Sequence, residues 1–331
     1  MIELNHDALT IHFPDVHQEA TLAIHFQRTL RIPDDGQAYP LPAGLGRFPL
    51  RHVDDYARTV PARWIEHGGV VLPMYQAEAL WICFSGHYPF AVKVAAGKIN
   101  AVTGEEGRDG LHRDPQDYLT APHQPWLDGY CVERGVIRQF VAMPLGEGYT
   151  AEEQIAGHGE VGGIQIVACP MKPEAFERHI GRVRTTAWAV LSATGARLGS
   201  PDFGLAPGGR MRQEIYHDRY PLEDWDQRHR ARCFVHIANA QQWRAITGDA
   251  PPTAPMTAAD YRNARIPWFD YYAADLEALP GAGILSRLKS VAQLGSAKGQ
   301  HPLPENDPIQ VERVVQLRRG LNRSEVREGA F

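Results

Sequence analysis

Ala79-Leu-Trp-Ile-Cys-Phe84, Phe90-Ala-Val-Lys-Val94, Gly135-Val-Ile-Arg-Gln-Phe-Val-Ala142 and Gly163-Ile-Gln-Ile-Val-Ala-Cys169 decide how this chain folds. Each is a short apolar run closed by Gly, Pro or acidic residues, the pattern of a strand buried on at least one face. Nearer the N-terminus, Leu9, Ile11 and Phe13 alternate with Thr10 and His12, and Leu22, Ile24 and Phe26 with Thr21, Ala23, His25 and Gln27. Because side chains alternate across a strand, these segments read as two antiparallel strands joined near Pro14-Asp-Val-His-Gln-Glu19.

Helices and loops punctuate this sheet. Residues 33–49 read as a Pro/Gly loop, and Asp54 to His67 as helical, interrupted at Pro61 and ended by Gly68-Gly69. Thr150-Ala-Glu-Glu153 is a capping-box pattern for a short helix that stops near Gly157. Phe176, Ile180, Val183 and Ala187 keep one face of a helix from Pro173 to about Val190. A loop from Pro201 to Gly209 precedes a strand over Arg210 to Tyr216; Arg232 to Ala238 is a further strand, with Asn239 as N-cap for 240–247. From Thr257 the character turns helical, with elements opening at Thr257-Ala-Ala-Asp260, running from Ile284 to Leu294, and starting at Asp307-Pro308 to run through Leu317. Gly295 to Asn306 reads as a connector and the tail after Gly320 as frayed. The expectation is an α+β fold: a β-rich, mixed or antiparallel sheet body over 1–250, and a helical C-terminal section over 251–331 packed on it.

Composition excludes several classes. A hydrophobic fraction of 44% and a charged fraction of 22% are those of a folded globular chain, so wholesale disorder is ruled out. With 39 acids against 34 bases the net charge is −5, which gives no global attraction to nucleic acid or to an anionic membrane. No apolar run approaches the ~18 residues that span a bilayer. Met1-Ile-Glu-Leu-Asn-His-Asp7 lacks a basic segment followed by an apolar one, so no secretory signal is recognised. Cys83, Cys131, Cys169 and Cys233 are widely spaced without a Cys-x-x-Cys pair, which reads as reduced thiols in a cytoplasmic protein, with two disulfides as the alternative.

Several motif fragments fail on context. Ala91-Val-Lys-Val94, His112-Arg-Asp114, Gly157-His-Gly-Glu-Val-Gly162 and Asp202-Phe-Gly204 imitate a protein kinase, but the glycine loop follows the lysine strand instead of preceding it. The same glycine loop has a helix before it and a strand after it, the reverse of a dinucleotide fingerprint. His112-x-Asp114 with distal His236 has the composition of a facial triad for non-haem iron, and Arg244 follows where a β-rich oxygenase would bind an acid cosubstrate. His236 alternates with Phe234 and Ala238, which equally describes a hydrogen-bonded histidine of the sheet. His12 and His25 share the polar faces of the first strands, without a third ligand, and read as solvated.

The favoured constellation is cationic. Lys residues are scarce, only Lys93, Lys98, Lys172, Lys289 and Lys298, and two of the five fall in the strand-rich centre. Lys93 lies between Ala91 and Ala95 on one strand face, where small neighbours leave room for a ligand oxygen. Lys98, Arg138 and Arg212 would join it if their strands are neighbours, gathering charge for a carboxylate or phosphate. The alternative is that each cation pairs with an acid. Trp268-Phe-Asp-Tyr-Tyr272 is an aromatic patch able to stack a ring or to anchor a helical segment.

Arg138 to Gln154, Gly208 to Tyr216 and Trp243 to Gly248 resemble a family of uncharacterised soluble proteins. The resemblance covers most of the chain and implies a single evolutionary unit; it implies no activity, cofactor or catalytic residue. Three readings follow: a binding protein holding a small anionic ligand on its central sheet through Lys93, Lys98, Arg138 and Arg212; an iron oxygenase using His112, Asp114 and His236; and a protein that works as a homo-oligomer or through a protein partner.

Overall fold

The computed structural model describes residues 1–179, 202–251, 254–273, 275–300 and 307–318. In chain order its strands are β1 (Ile2–Asn5), β2 (Ala8–His12), β3 (Thr21–Thr29), β4 (Ala38–Tyr39), β5 (Gly44–Arg47), β6 (Arg51–His52), β7 (Val70–Met74), β8 (Ala79–Ser85), β9 (Phe90–Ala96), β10 (Ile99–Asn100), β11 (Leu119–Ala121), β12 (Trp126–Leu127), β13 (Gly129–Glu133), β14 (Val136–Pro144), β15 (Ile164–Pro170), β16 (Phe203–Arg212), β17 (Ala231–Asn239), β18 (Trp268–Tyr272) and β19 (Val314–Arg318). The helices are short: α1 (Ala62–His67), α2 (Ala151–Ala156), α3 (Pro173–His179), α4 (Ala240–Thr247), α5 (Ala258–Asn263), α6 (Gly283–Ser286) and α7 (Val291–Ala297). No helix among the described residues is long and apolar enough to cross a membrane.

The first seventeen strands form one sheet, mostly antiparallel. One stretch runs β1–β2–β3–β8–β14–β16 through successive antiparallel pairs. A second runs β7–β17–β15–β9–β11, antiparallel except at β7–β17. The two meet where Phe203 of β16 pairs with Ile237 of β17. Alternation sorts their faces. Leu22, Ile24, Phe26, Ile82, Phe84, Val92, Val94, Ile164, Ile166, Val235 and Ile237 point into one core, nearly without exposure. Each such side chain contributes roughly 1.5–3 kcal/mol when removed from water, which makes a one-residue register slip prohibitive.

The expected strands over 8–13 and 20–31 are present as β2 and β3, and the four central runs as β8, β9, β14 and β15. The expected capping box at Thr150 and the Asn239 cap are made, and the element expected to open at Thr257 does so with a capping box. The helix expected from Pro173 is α3; its continuation toward Val190 and the tail after Gly320 lie outside the described residues.

Three expectations are corrected. The segment 201–209, read as a loop for its Pro and Gly, supplies most of strand β16. Gly209 serves there for close approach rather than for a turn, since a Cβ would stand 2.2 Å from the Pro33 carbonyl oxygen. The helix expected over Ile284 to Leu294 is broken, because Ser290 starts α7 with its own capping box while its hydroxyl donates to Asp34. The segment expected to be helical through Leu317 contains β19, which pairs in parallel with β18, so the described C-terminal residues carry short helices and a two-stranded ladder. Val314, Val315, Trp268 and Tyr271 are β-branched and aromatic, and their pairing outweighs the N-cap signal of Asp307-Pro308.

Polar groups are buried with partners at several places. Arg28 and Glu78, on the core side, pair at 2.8 Å with almost no exposure. Asp128 is buried and accepts from Gln213 Nε2 at 2.6 Å, while its own N–H donates to Gln213 Oε1 at 3.0 Å. Burial pushes the Asp128 carboxyl up to about 7, against the opposing pull of the Gln213 hydrogen bond. The folded protein therefore keeps a proton that the unfolded chain releases near its ordinary pKa of about 4, and this contribution to stability is lost as pH rises toward 7. Asp128→Asn keeps an acceptor for Gln213 and cannot ionise. Urea denaturation should show its stability gain over the parent growing between about pH 5 and pH 8, to on the order of 2–4 kcal/mol; a gain that does not change with pH would contradict the assignment.

Candidate functional site

Three adjacent strands build the floor of a cavity. Register places Lys93 of β9 opposite Val167 of β15, and Val167 opposite Arg232 of β17. The next row is Ala95, Gln165 and Phe234. Directly paired residues share a sheet face, so Lys93 and Arg232 stand on the same outward surface with small side chains between them. The loop 106–111, with Gln227 and Arg230, closes the other side around a volume of about 190 Å³.

Local sequence explains how that loop is held. Gly97 and Lys98 make the two-residue turn between β9 and β10, with Gly97 at φ +57°. A Cβ on Gly97 would also lie 2.2 Å from Glu152 Oε2, so only glycine fits. Asn100 donates through Nδ2 to the Asp117 carbonyl at 2.7 Å and accepts from the N–H groups of Val102 and Thr103. Leu111 N–H donates to Gln227 Oε1 at 2.8 Å. At the centre, Lys93 Nζ donates to the carbonyls of Arg108 at 2.8 Å and Gly110 at 2.6 Å, and lies 2.7 Å from Asp117 Oδ2. An ammonium has three protons, and all three are used.

The cavity is lined by five basic side chains, Lys93, Lys98, Arg108, Arg230 and Arg232, against the acids Glu106 and Asp109. Lys98 pairs with Glu160 at 2.9 Å and Arg230 with Asp109 at 2.6 Å, and both carboxylates are mostly exposed. The Arg230 hydrogen bond holds Asp109 below the usual carboxylate range, and the Lys98 bond does the same for Glu160. Arg232 is exposed and makes no ion pair among the described residues. Cys169 shares the floor, but burial pushes its thiol up to about 11, so it stays protonated and is no nucleophile.

Lys93 and Lys98 are thus brought together, and Arg138 and Arg212 are not. Arg138 bonds Asp34 Oδ1 at 3.2 Å and the Gly208 carbonyl at 3.0 Å. Arg212 grips Asp270 through both carboxylate oxygens, at 2.9 and 3.1 Å. Their charges are taken up by those carboxylates, so the four-cation arrangement is not assembled. Arg230 and Arg232 escaped the sequence reading, although Arg232, Phe234 and His236 alternate outward against Cys233, Val235 and Ile237.

His112, Asp114 and His236 do not form a ligand group, and no cluster of three metal-ligating side chains occurs among the described residues. His112 turns instead to Asp117, with Nδ1 at 2.9 Å from Oδ2 and its N–H on Oδ1 at 2.9 Å, while Asp114 is exposed. His236 stacks on Trp64 with ring centroids 4.7 Å apart and sets Nε2 at 3.0 Å from the Gly68 carbonyl; burial lowers it to about 4. A larger depression of about 630 Å³ lies beside Arg63 and Asp202, which pair with each other. Comparison with known protein families, with curated proteins and with solved structures finds no match to this chain.

The two lysines should respond differently to loss of charge. Lys93→Met leaves the Asp117 carboxylate buried without its cation and should cost about 3–5 kcal/mol in chemical denaturation. Lys98→Met, whose partner faces water, should leave the denaturation midpoint unchanged within error. Equal effects would refute the assignment of Lys93 as the buried anchor of the loop.

Proposed function

We propose that this protein binds a small anion, a carboxylate or phosphate, in the cavity over β9, β15 and β17. The observation that carries the reading is Arg232. It stands in the same cross-strand row as the Lys93 ammonium, lines the cavity, and makes no ion pair among the described residues. Lys93, its charge met by Asp117, holds the loop that walls the cavity against the floor. Lys98 and Arg230 sit at the rim in exposed ion pairs, which are cheap to exchange for a ligand's oxygens. The other four cations meet carboxylates, Lys93 with Asp117, Lys98 with Glu160, Arg108 with Glu105 and Arg230 with Asp109, so the attraction for an anion rests on Arg232 and is local. The four free thiols support a reducing compartment such as the cytoplasm.

Calorimetric titration with inorganic phosphate and with succinate tests the reading. At least one anion should bind, more weakly as salt rises, because charge attraction is screened. Arg232→Ala should weaken binding about tenfold or more, the scale of one charge-assisted hydrogen bond, and Arg212→Ala should leave it unchanged. Absence of binding by both anions, or equal affinity in Arg232→Ala, refutes the proposal.

A further inference from the structure

The cavity over β9, β15 and β17 is not lined by charge alone. Strand alternation puts Val167 and Cys169 on the same face of β15, and both line the cavity. Val167 lies in register between Lys93 and Arg232, and Ala95 stands in the neighbouring row. Leu111 lines the cavity from the loop and is itself buried. Burial keeps the Cys169 thiol protonated, so it presents an uncharged, polarisable surface. Ala95, Leu111, Val167 and Cys169 thus give the cavity an apolar part beside the Arg232 row.

Charge and size narrow the ligand further. Arg232 is the cation of the lining without an ion pair among the described residues, which matches one carboxylate and not two. Glu106 also lines the cavity, as an exposed carboxylate with no ion pair among the described residues, so a second negative charge on a ligand would meet a like charge. The volume is about 190 Å³. A cavity of roughly 150 Å³ encloses benzene, so this one takes about seven non-hydrogen atoms. Val167 and Cys169 are separated by about 7 Å of strand, the reach of a tail of about four carbons.

We propose that the anion held in this cavity is a short-chain monocarboxylate, with its carboxylate on Arg232 and its alkyl tail over Val167 and Cys169, under the 106–111 loop. The guanidinium supplies two parallel N–H donors to the two carboxylate oxygens. This inference rests on the anion reading above and adds the ligand's single charge and its apolar tail.

Calorimetric titration of the full chain with acetate, pentanoate, octanoate and succinate tests it. Pentanoate should bind about tenfold or more tighter than acetate, since each buried methylene adds about two- to fourfold. It should also bind tighter than succinate, whose second carboxylate meets Glu106. Octanoate should gain less than about twofold over pentanoate, because its further carbons find no room. Val167→Thr keeps the branched outline and sets a hydroxyl under the tail, so it should weaken pentanoate about three- to tenfold and leave acetate unchanged. Arg232→Ala should weaken both. Equal affinity for acetate and pentanoate, succinate binding as tightly as pentanoate, or undiminished pentanoate affinity in Val167→Thr overturns the monocarboxylate assignment; if Arg232→Ala still weakens binding, the anion site itself stands. Binding of phosphate or succinate without pentanoate has the same meaning, whereas no binding by any of these anions overturns both.

Discussion

One ammonium fixes the geometry of the cationic cavity. Lys93 Nζ spends its three protons on two main-chain carbonyls and the Asp117 carboxylate, all in the segment that crosses over β9. That contact converts a Gly-rich surface loop into a wall. An apolar residue at 93 would leave two carbonyls and a carboxylate to find water, and the loop would have no reason to lie against the sheet. Asp117 in turn orders His112 through both oxygens, so a single carboxylate links strand, loop and imidazole. The cost of ordering this loop is met largely by hydrogen bonds, with Leu111 as its apolar anchor in the core.

How much of this was legible in the sequence differs by level. Strand alternation in 8–29 and the four central runs could be read directly, because period-two patterning reports burial on one face. Caps at Thr150 and Asn239, and the helix start at Thr257, were legible because a side chain bonding two or three residues ahead is a local event. Strand β16 was hidden by Gly204, Pro207, Gly208 and Gly209, residues that read as turn former in isolation. Their purpose lies in a neighbour 170 and more residues away in the chain for Gly209 and Pro33, and no local pattern reports such a contact. Strand β19 was missed for a similar reason, since its partner β18 defines it.

The site was half legible. Lys93 and Lys98 could be picked out because five lysines in the chain make two in the central sheet conspicuous. Their relation to Arg138 and Arg212 depended on pairing order, and the acids that occupy those arginines, Asp34 and Asp270, come from loop and C-terminal segments with no strand pattern linking them. His112-x-Asp114 shows the same limit in miniature. The carboxylate that meets His112 is three residues further on, at Asp117, because the chain turns between them.

The two polar patches on the outer faces differ in how their groups are satisfied, and that difference has energetic content. In the cationic cavity nearly every charge already has a partner, so an incoming anion must displace exposed carboxylates and gains only the difference between two weak pairings. On the β3–β8 face the orphaned atoms of His25, Gln27 and Trp81 have no partner to displace. Each buried group left unpaired costs about 1–3 kcal/mol, against a total folding stability of about 5–15 kcal/mol for a typical domain. The apolar packing of the sheet must offset that burden, so an apolar side chain of similar length at position 27 removes a cost without losing a bond.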